Sequence, residues 1–161
     1  MNIKRLKGFR DILPAEASAV RRIESVCADV FARYGFSEIR LPLLEETLLF
    51  NRSIGEATDI VEKEMYTFTD AGDNTVTLRP EGTASAVRAF VENGFAKSAP
   101  KARWYYCGPM FRRERPQKGR FRQFHQIGAE CFGFKEPAAD GEMLALLWDL
   151  AGALFIRERV S

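Results

Sequence analysis

Two aromatic-rich runs, RWYYCGPMFRRE at 103–114 and FRQFHQIGAECFGF at 121–134, are separated only by the polar, glycine-containing segment RPQKGR. Runs dense in strand-forming residues and joined by so short a loop close as an antiparallel hairpin. Two such long strands need helices or further strands over at least one face, so the hairpin dictates what the rest of the chain must cover. Side chains two apart share a face of a strand. Arg120, Arg122, Phe124, Gln126, Gly128 and Glu130 therefore point one way, and Phe121, Gln123, His125, Ile127 and Ala129 the other.

The remaining elements fall around this pair. Val20, Ile23, Val26, Cys27, Val30, Phe31 and Tyr34 recur at spacings of three and four, which predicts an amphipathic helix over 15–34. Pro14 suits its first turn, and Gly35 suits a left-handed cap at its end. FSEIRLP alternates as a short strand ended by Pro42. MYTFTD (65–70) and TVTLRP (75–80) flank the turn-forming AGDN and predict a second hairpin. EGTASAVRAFVENGF reads as a helix with Glu81 at its N-terminus. A last helix is expected to start on Asp140 as cap, with Met143, Leu144, Leu147, Leu150, Ala151 and Leu154 on its packed side. The order helix, strand, hairpin, helix, hairpin, helix is that of an α+β fold, an antiparallel sheet flanked by helices.

Length and composition bound the function classes. A chain of 161 residues, 46% hydrophobic, is expected to form a single domain. The apolar run at 144–156 is broken by Asp149 and falls short of the roughly 20 residues that cross a bilayer, so no membrane partner is expected. Without a secretion signal at the N-terminus, a cytoplasmic location is the expectation. Three scattered cysteines, Cys27, Cys107 and Cys131, suit buried reduced thiols, and a lone histidine leaves too few ligands for a zinc site. His125 faces away from Gln126, which favours a packed structural role over a catalytic one.

Net charge is only +2, yet 101–122 carries eight Lys/Arg against the single acid Glu114, a local +7 that leaves −5 for the rest. Such a concentration suits a small polyanion or a focused nucleic-acid contact. On the first face of the long hairpin, cations, a flat aromatic, an amide and an acid line up, and a glycine at 128 invites something to approach the backbone. A solvated charged strand is the competing reading. Guanidinium forks grip phosphate oxygens and an aromatic plane stacks a base, so the face suits a nucleotide. GxxxxGK[ST] and GxGxxG are both absent, so any ATP would bind on a sheet through arginines.

KGFRDILP (7–14), YGFSEIRLPLLEETLLF (34–50), TDIVEKEMYTF (58–68), TLRPEGTA (77–84) and GPMFRRERPQKGRFRQFHQIGAE (108–130) together resemble the histidyl-tRNA synthetases, class II aminoacyl-tRNA synthetases, over essentially the whole chain. The resemblance implies a class II synthetase-like catalytic domain. Its motif 1 would be the helix ending at Tyr34 with the following strand, forming a homodimer interface, and its motif 2 the long hairpin, holding ATP. It implies that Arg112 is catalytic, contacting the α-phosphate and the amino acid carboxylate. Glu114, Arg120 and Phe124 would contact ATP, with Phe124 on the adenine. Glu81, Gly82, Thr83, Gln126 and Glu130 would join Arg112 in holding histidine, with Glu130 on the imidazole. ATP, Mg2+ and tRNA(His) are the implied cofactors and partners, with no protein-held metal. Motif 3 and an anticodon-binding domain lie outside these residues, so 1–161 is expected to be a catalytic-domain portion. A histidine-sensing regulatory subunit of ATP phosphoribosyltransferase is the alternative within the same fold. A generic basic RNA-binding module is the alternative outside it.

Overall fold

A computed structural model of the chain describes residues 2–54, 64–115, 117 and 119–159. The TDIVEK part of the 58–68 stretch, and Pro116 and Lys118 of the loop, lie outside the described residues. The chain divides into two compact units where one domain was expected: 1–11, 40–95 and 106–128 form the first, and 12–39, 96–105 and 129–161 the second. Each is assembled from discontinuous segments.

In the second unit, α1 (Pro14–Arg33) starts on its proline and ends with Gly35 at φ +74°, as its sequence predicts. The N–H of Phe36 reaches back to the carbonyl of Phe31 at 3.0 Å, which closes the helix end. Cys27, Val30 and Phe31 form its buried stripe, and the Phe31 ring stacks on Tyr105 with centroids 4.6 Å apart. Against α1 packs the last helix, Pro137–Ala153. It begins a turn earlier than expected because Pro137, with its fixed φ and missing N–H, fits the first helical position. Asp140 is therefore not the cap but a first-turn acid that complements the helix dipole. Leu146 and Ala151 are its buried residues, whereas Leu144 and Leu147, expected inside, are 69% and 55% exposed. The Tyr34 hydroxyl donates to Asp149 at 2.8 Å and ties the two helices. That hydrogen bond raises the phenol above its ordinary pKa.

In the first unit, three antiparallel strands β2 (Leu44–Glu46), β3 (Tyr66–Thr69) and β4 (Thr75–Leu78) lie in the order β2-β4-β3. The β3–β4 hairpin is the predicted one. At its turn Asp70 accepts the N–H groups of Gly72 and Asn74 at 2.8 and 2.9 Å. The Asn74 side-chain amide adds to these and holds the Asp70 carboxyl below the ordinary carboxylate range. Central in the sheet, fully buried Thr77 shares hydroxyl hydrogen bonds with Thr47 and Thr67 at 2.8 and 2.9 Å. Two helices, α2 (Thr47–Ile54) and α3 (Thr83–Glu92), accompany the sheet, and Phe50, Met65 and Ala84 form a buried cluster. Short α4 (Phe95–Ser98) follows, and the Phe95 ring stacks on Phe90 of α3 with centroids 6.1 Å apart.

The second sheet has the order β1-β5-β6, with β1 (Ser37–Glu38), β5 (Ala102–Phe111) and β6 (Gln123–Phe132). β5 and β6 are the predicted long strands, and each divides between the two units. β1 pairs parallel to β5, Ser37 opposite Trp104, which departs from an all-antiparallel expectation. The long stretch of chain between them supplies the crossover that a parallel pair requires. The last helix becomes α5, and a 3-10 turn follows at Arg157–Arg159. All three cysteines are free thiols, Cys27 buried and the others half-buried. Among the described residues no helix is long and apolar enough to cross a membrane.

Candidate active site

Arg79 sets the frame of the site. It ends the TVTLR run, is only 4% exposed, and its guanidinium donates to three carbonyls: Leu41 at 2.8 Å, Pro42 at 3.3 Å and Pro109 at 3.0 Å. Its backbone is paired as well, its N–H on the Leu43 carbonyl at 2.9 Å and its own carbonyl accepting from Phe111 at 3.0 Å. Gly108 leaves the room, since a Cβ there would lie 2.5 Å from an Arg79 Nη. Burial pulls the guanidinium pKa down, and the three carbonyls provide the hydrogen bonds that a buried cation needs.

This frame places Pro80 beneath Arg112, whose Nε donates to the Pro80 carbonyl at 3.0 Å. The Arg112 guanidinium lies over the Phe124 ring, 5.0 Å from its centroid, so a residue just past β5 meets one near the start of β6. Glu114 is the loop's acidic hinge. Its carboxylate lies 3.0 Å from Arg120 and 4.0 Å from Arg112. Arg120 is the outermost of the three, and its backbone bridges to Gln117 across the loop tip. On the same face of β6 as Phe124, the Gln126 Oε1 is buried and accepts no hydrogen bond from any described residue. A buried acceptor left so costs about 1–3 kcal/mol, which a donor brought by a ligand would recover.

Glu81 sits just before α3, its carboxylate accepting the N–H groups of Thr83 at 2.5 Å and Ala84 at 3.0 Å. Gly82 is the buried N-cap residue and Thr83 is exposed. These are the helix's orphan donors, and a carboxylate there also complements the dipole. Each oxygen keeps a lone pair for a further donor.

A fourth group, unforeseen, is Tyr106. Its ring fills the space beside two glycines: a Cβ on Gly82 would meet it at 2.2 Å and a Cβ on Gly128 at 2.4 Å. The expectation that Gly128 opens its backbone to a ligand is thus corrected, because the Tyr106 side chain, 3% exposed, takes that room. Gly128→Ala is expected to lower stability by about 1–3 kcal/mol through overpacking. A thermal melt should fall by about 2–4 °C per kcal/mol lost, and an unchanged melt would mean that Tyr106 moves aside freely.

Residues 8–159 match the family model described as histidyl-tRNA synthetase. The chain belongs to the histidyl-tRNA synthetase family. It is 58% identical over 153 residues to the histidine--tRNA ligase of Desulfosudis oleivorans, covering 95% of the chain and 36% of that relative. It is also similar to the crystal structure of the apo histidyl-tRNA synthetase of S. aureus, with a TM-score of 0.78 and 37% identity over 94% of the chain and 35% of that one. At 25% identity and a TM-score of 0.79 it resembles a Bacillus halodurans structure described as an ATP phosphoribosyltransferase regulatory subunit/histidyl-tRNA synthetase, over 95% of the chain and 38% of that one. The chain thus spans little more than a third of the length of these relatives.

Against the synthetase pattern, the structure gathers Arg112, Glu114, Arg120 and Phe124 into one contiguous set, with Glu81 one residue beyond the Pro80 that anchors Arg112. Glu130 lies on β6 in the second unit, half-buried and engaged in an interaction of its own. Arg122 does not join the ligand face. β6 starts only at Gln123, and Arg122 instead donates from its N–H to Gly8 at 2.8 Å and from its guanidinium to the carbonyls of Glu114 and Lys7 at 3.2 and 3.3 Å. His125 is exposed, not packed as expected, near the start of a strand that is outermost in its sheet. Arg79 and Tyr106 were missed. The signal for both was glycine, at 108 for one and at 82 and 128 for the other, each opposite a large side chain.

Proposed function

We propose that these residues belong to a histidine--tRNA ligase and form part of its site for histidine and ATP. One observation carries the reading: the Arg112 guanidinium is held by the carbonyl of Pro80, the residue before Glu81, and lies over the Phe124 ring. In this reading a carboxylate oxygen of histidine attacks the α-phosphorus of ATP. The new C–O–P bond replaces the bond to the β-phosphate oxygen, and pyrophosphate leaves. A terminal ribose hydroxyl of tRNA(His) then attacks the activated carbonyl and AMP leaves. Arg112 bears on the charge that builds at phosphorus, where a planar, bidentate cation is worth most.

Phe124 offers a ring face to adenine, while Glu114 and Arg120 border the phosphates. Glu81 keeps acceptor capacity for the histidine ammonium, with Gly82 and Thr83 at the same helix start. Gln126 offers its unpartnered carbonyl oxygen, and the imidazole N–H falls to Glu130. An acid matched to that N–H rejects amino acids that leave it unpaired. Among the described residues no three His, Cys, Asp or Glu gather to hold a cation. In this reading Mg2+ would arrive with ATP and supply charge neutralisation at its phosphates. Homodimer assembly through the α1–β1 region and action in the cytoplasm complete the reading.

Amino-acid-dependent exchange of pyrophosphate into ATP by the whole protein tests it. Histidine alone among the amino acids is expected to support exchange. Binding of histidine without any exchange would favour the regulatory-subunit reading that the Bacillus halodurans likeness keeps in view.

A further inference from the structure

Tyr106, Gly108 and Met110 of β5 share one face of the strand, and all three are buried. The stretch 79–82 is held to β5 and its continuation at three points. Arg79 lies beside Gly108, the Pro80 carbonyl takes the Arg112 Nε, and Gly82 abuts the ring of Tyr106. The same ring abuts Gly128 of β6, and a Cβ on either glycine would collide with its Cζ. Neither glycine has a positive φ, so backbone conformation does not call for glycine at either position. What calls for it is the phenol end of Tyr106, on which the start of α3 and the middle of β6 both close.

Each of those two backbones carries an acceptor. Glu81, one residue before Gly82, holds its carboxylate at the start of α3. Gln126, two residues before Gly128 and on its face of the strand, holds the buried Oε1 that no described residue reaches. We propose that Tyr106 is the spacer that fixes these two acceptors at the separation one ammonium group spans, which makes it a positioning residue for the α-amino group of the amino acid. An ammonium carries three donors and draws on acceptors from more than one direction. Acceptors on two separate elements serve it only while their spacing holds, and a rigid ring holds a spacing better than a flexible chain does. Simple core filling would not need two glycines, since a smaller aliphatic side chain with alanine at both positions would fill comparable space. Tyr106 is 3% exposed and its phenol end is occupied by the two glycines, so it acts through Glu81 and Gln126 and not on the ligand. The inference rests on the reading of those two residues as amino acid contacts.

Steady-state pyrophosphate exchange by the whole protein with Tyr106 replaced tests it. Tyr106→Leu, which keeps an apolar side chain but shortens the spacer, is expected to raise the KM for histidine about ten-fold, while kcat and the KM for ATP stay within about three-fold. Tyr106→Phe keeps the ring and should stay within about three-fold of the unaltered protein in every constant. Loss of folded protein alone would do the reverse, lowering the maximal rate with KM unmoved. Two analogues assign the effect to the ammonium. Histidinol, which keeps that group, should inhibit Tyr106→Leu about ten-fold less well, and imidazolepropionate, which lacks it, should inhibit both proteins equally. If the leucine variant does not fold, Tyr106→Met takes its place with the same split expected, because its flexible chain fills the space without fixing a separation. An unmoved histidine KM, equal weakening of both analogues, or a Tyr106→Phe protein as impaired as Tyr106→Leu would overturn the spacer and leave the ligase reading standing. Histidine binding weakened about ten-fold in calorimetry, in a protein that exchanges no pyrophosphate even unaltered, would keep the spacer and refute the ligase reading.

Discussion

Arg112→Ala is expected to reduce histidine-dependent pyrophosphate exchange about 100- to 1000-fold, the usual loss when one preorganised charge-stabilising donor is removed. The magnitude follows from how the guanidinium is held. One nitrogen is tied to the Pro80 carbonyl and the guanidinium lies over Phe124, with the Glu114 carboxylate 4.0 Å away, so the cation is positioned before a ligand arrives. Arg112→Lys should recover little, because an ammonium cannot hold the Pro80 carbonyl and present a planar fork at once. The fold should survive both changes, since the side chain is partly exposed and its backbone pairing with Arg122, 2.9 Å, does not depend on it. A melt unchanged within a degree or so, together with the lost exchange, separates chemistry from stability. Exchange near the unaltered rate in Arg112→Ala would remove that residue from the mechanism.

Arg79→Ala should have the largest effect on stability, about 3–5 kcal/mol, measured by urea unfolding. Three carbonyls, from Leu41, Pro42 and Pro109, would lose their donor together, and the space beside Gly108 would open into a cavity. Two of these carbonyls lead into β2 and the third lies in β5, so one guanidinium joins segments far apart in sequence. Arg79→Lys should restore only part of the loss. A single ammonium cannot reach carbonyls on both sides of the site with the fixed geometry of a fork. Because Pro80 follows directly and anchors Arg112, catalysis should fall with stability in Arg79→Ala, whereas in Arg112→Ala only catalysis should fall. An Arg79→Ala protein with unaltered unfolding midpoint would refute the framing role.

Much of the fold could be read from periodicity. The α1 stripe, the Gly35 cap and both hairpins follow from local chemistry: side-chain spacing, a residue tolerant of positive φ, and turn residues between strand-forming runs. β2 was illegible because LEE carries no alternation and its pairing partner in β4 lies some thirty residues away. The start of α5 was misplaced because Asp140 offers a good cap, but Pro137 offers a better first turn. On the candidate site, strand parity puts Phe124 and Gln126 on one face of β6. It failed for Arg122, whose backbone is claimed by Gly8, a contact that no local pattern in 110–130 announces. Arg79 and Tyr106 were illegible for a related reason. A buried arginine and a tyrosine wedged between glycines depend on which distant backbones come close, and spacing within one element carries no record of that.

The most direct test is a structure of the protein with histidine and a non-hydrolysable ATP analogue bound. The account predicts the α-phosphate within hydrogen-bonding distance of the Arg112 guanidinium, the adenine against Phe124, and a donor from the ligands on the Gln126 Oε1. Ligands seated elsewhere, or Arg112 still engaged by Pro80, Phe124 and Glu114 alone with Gln126 unpartnered, would contradict it.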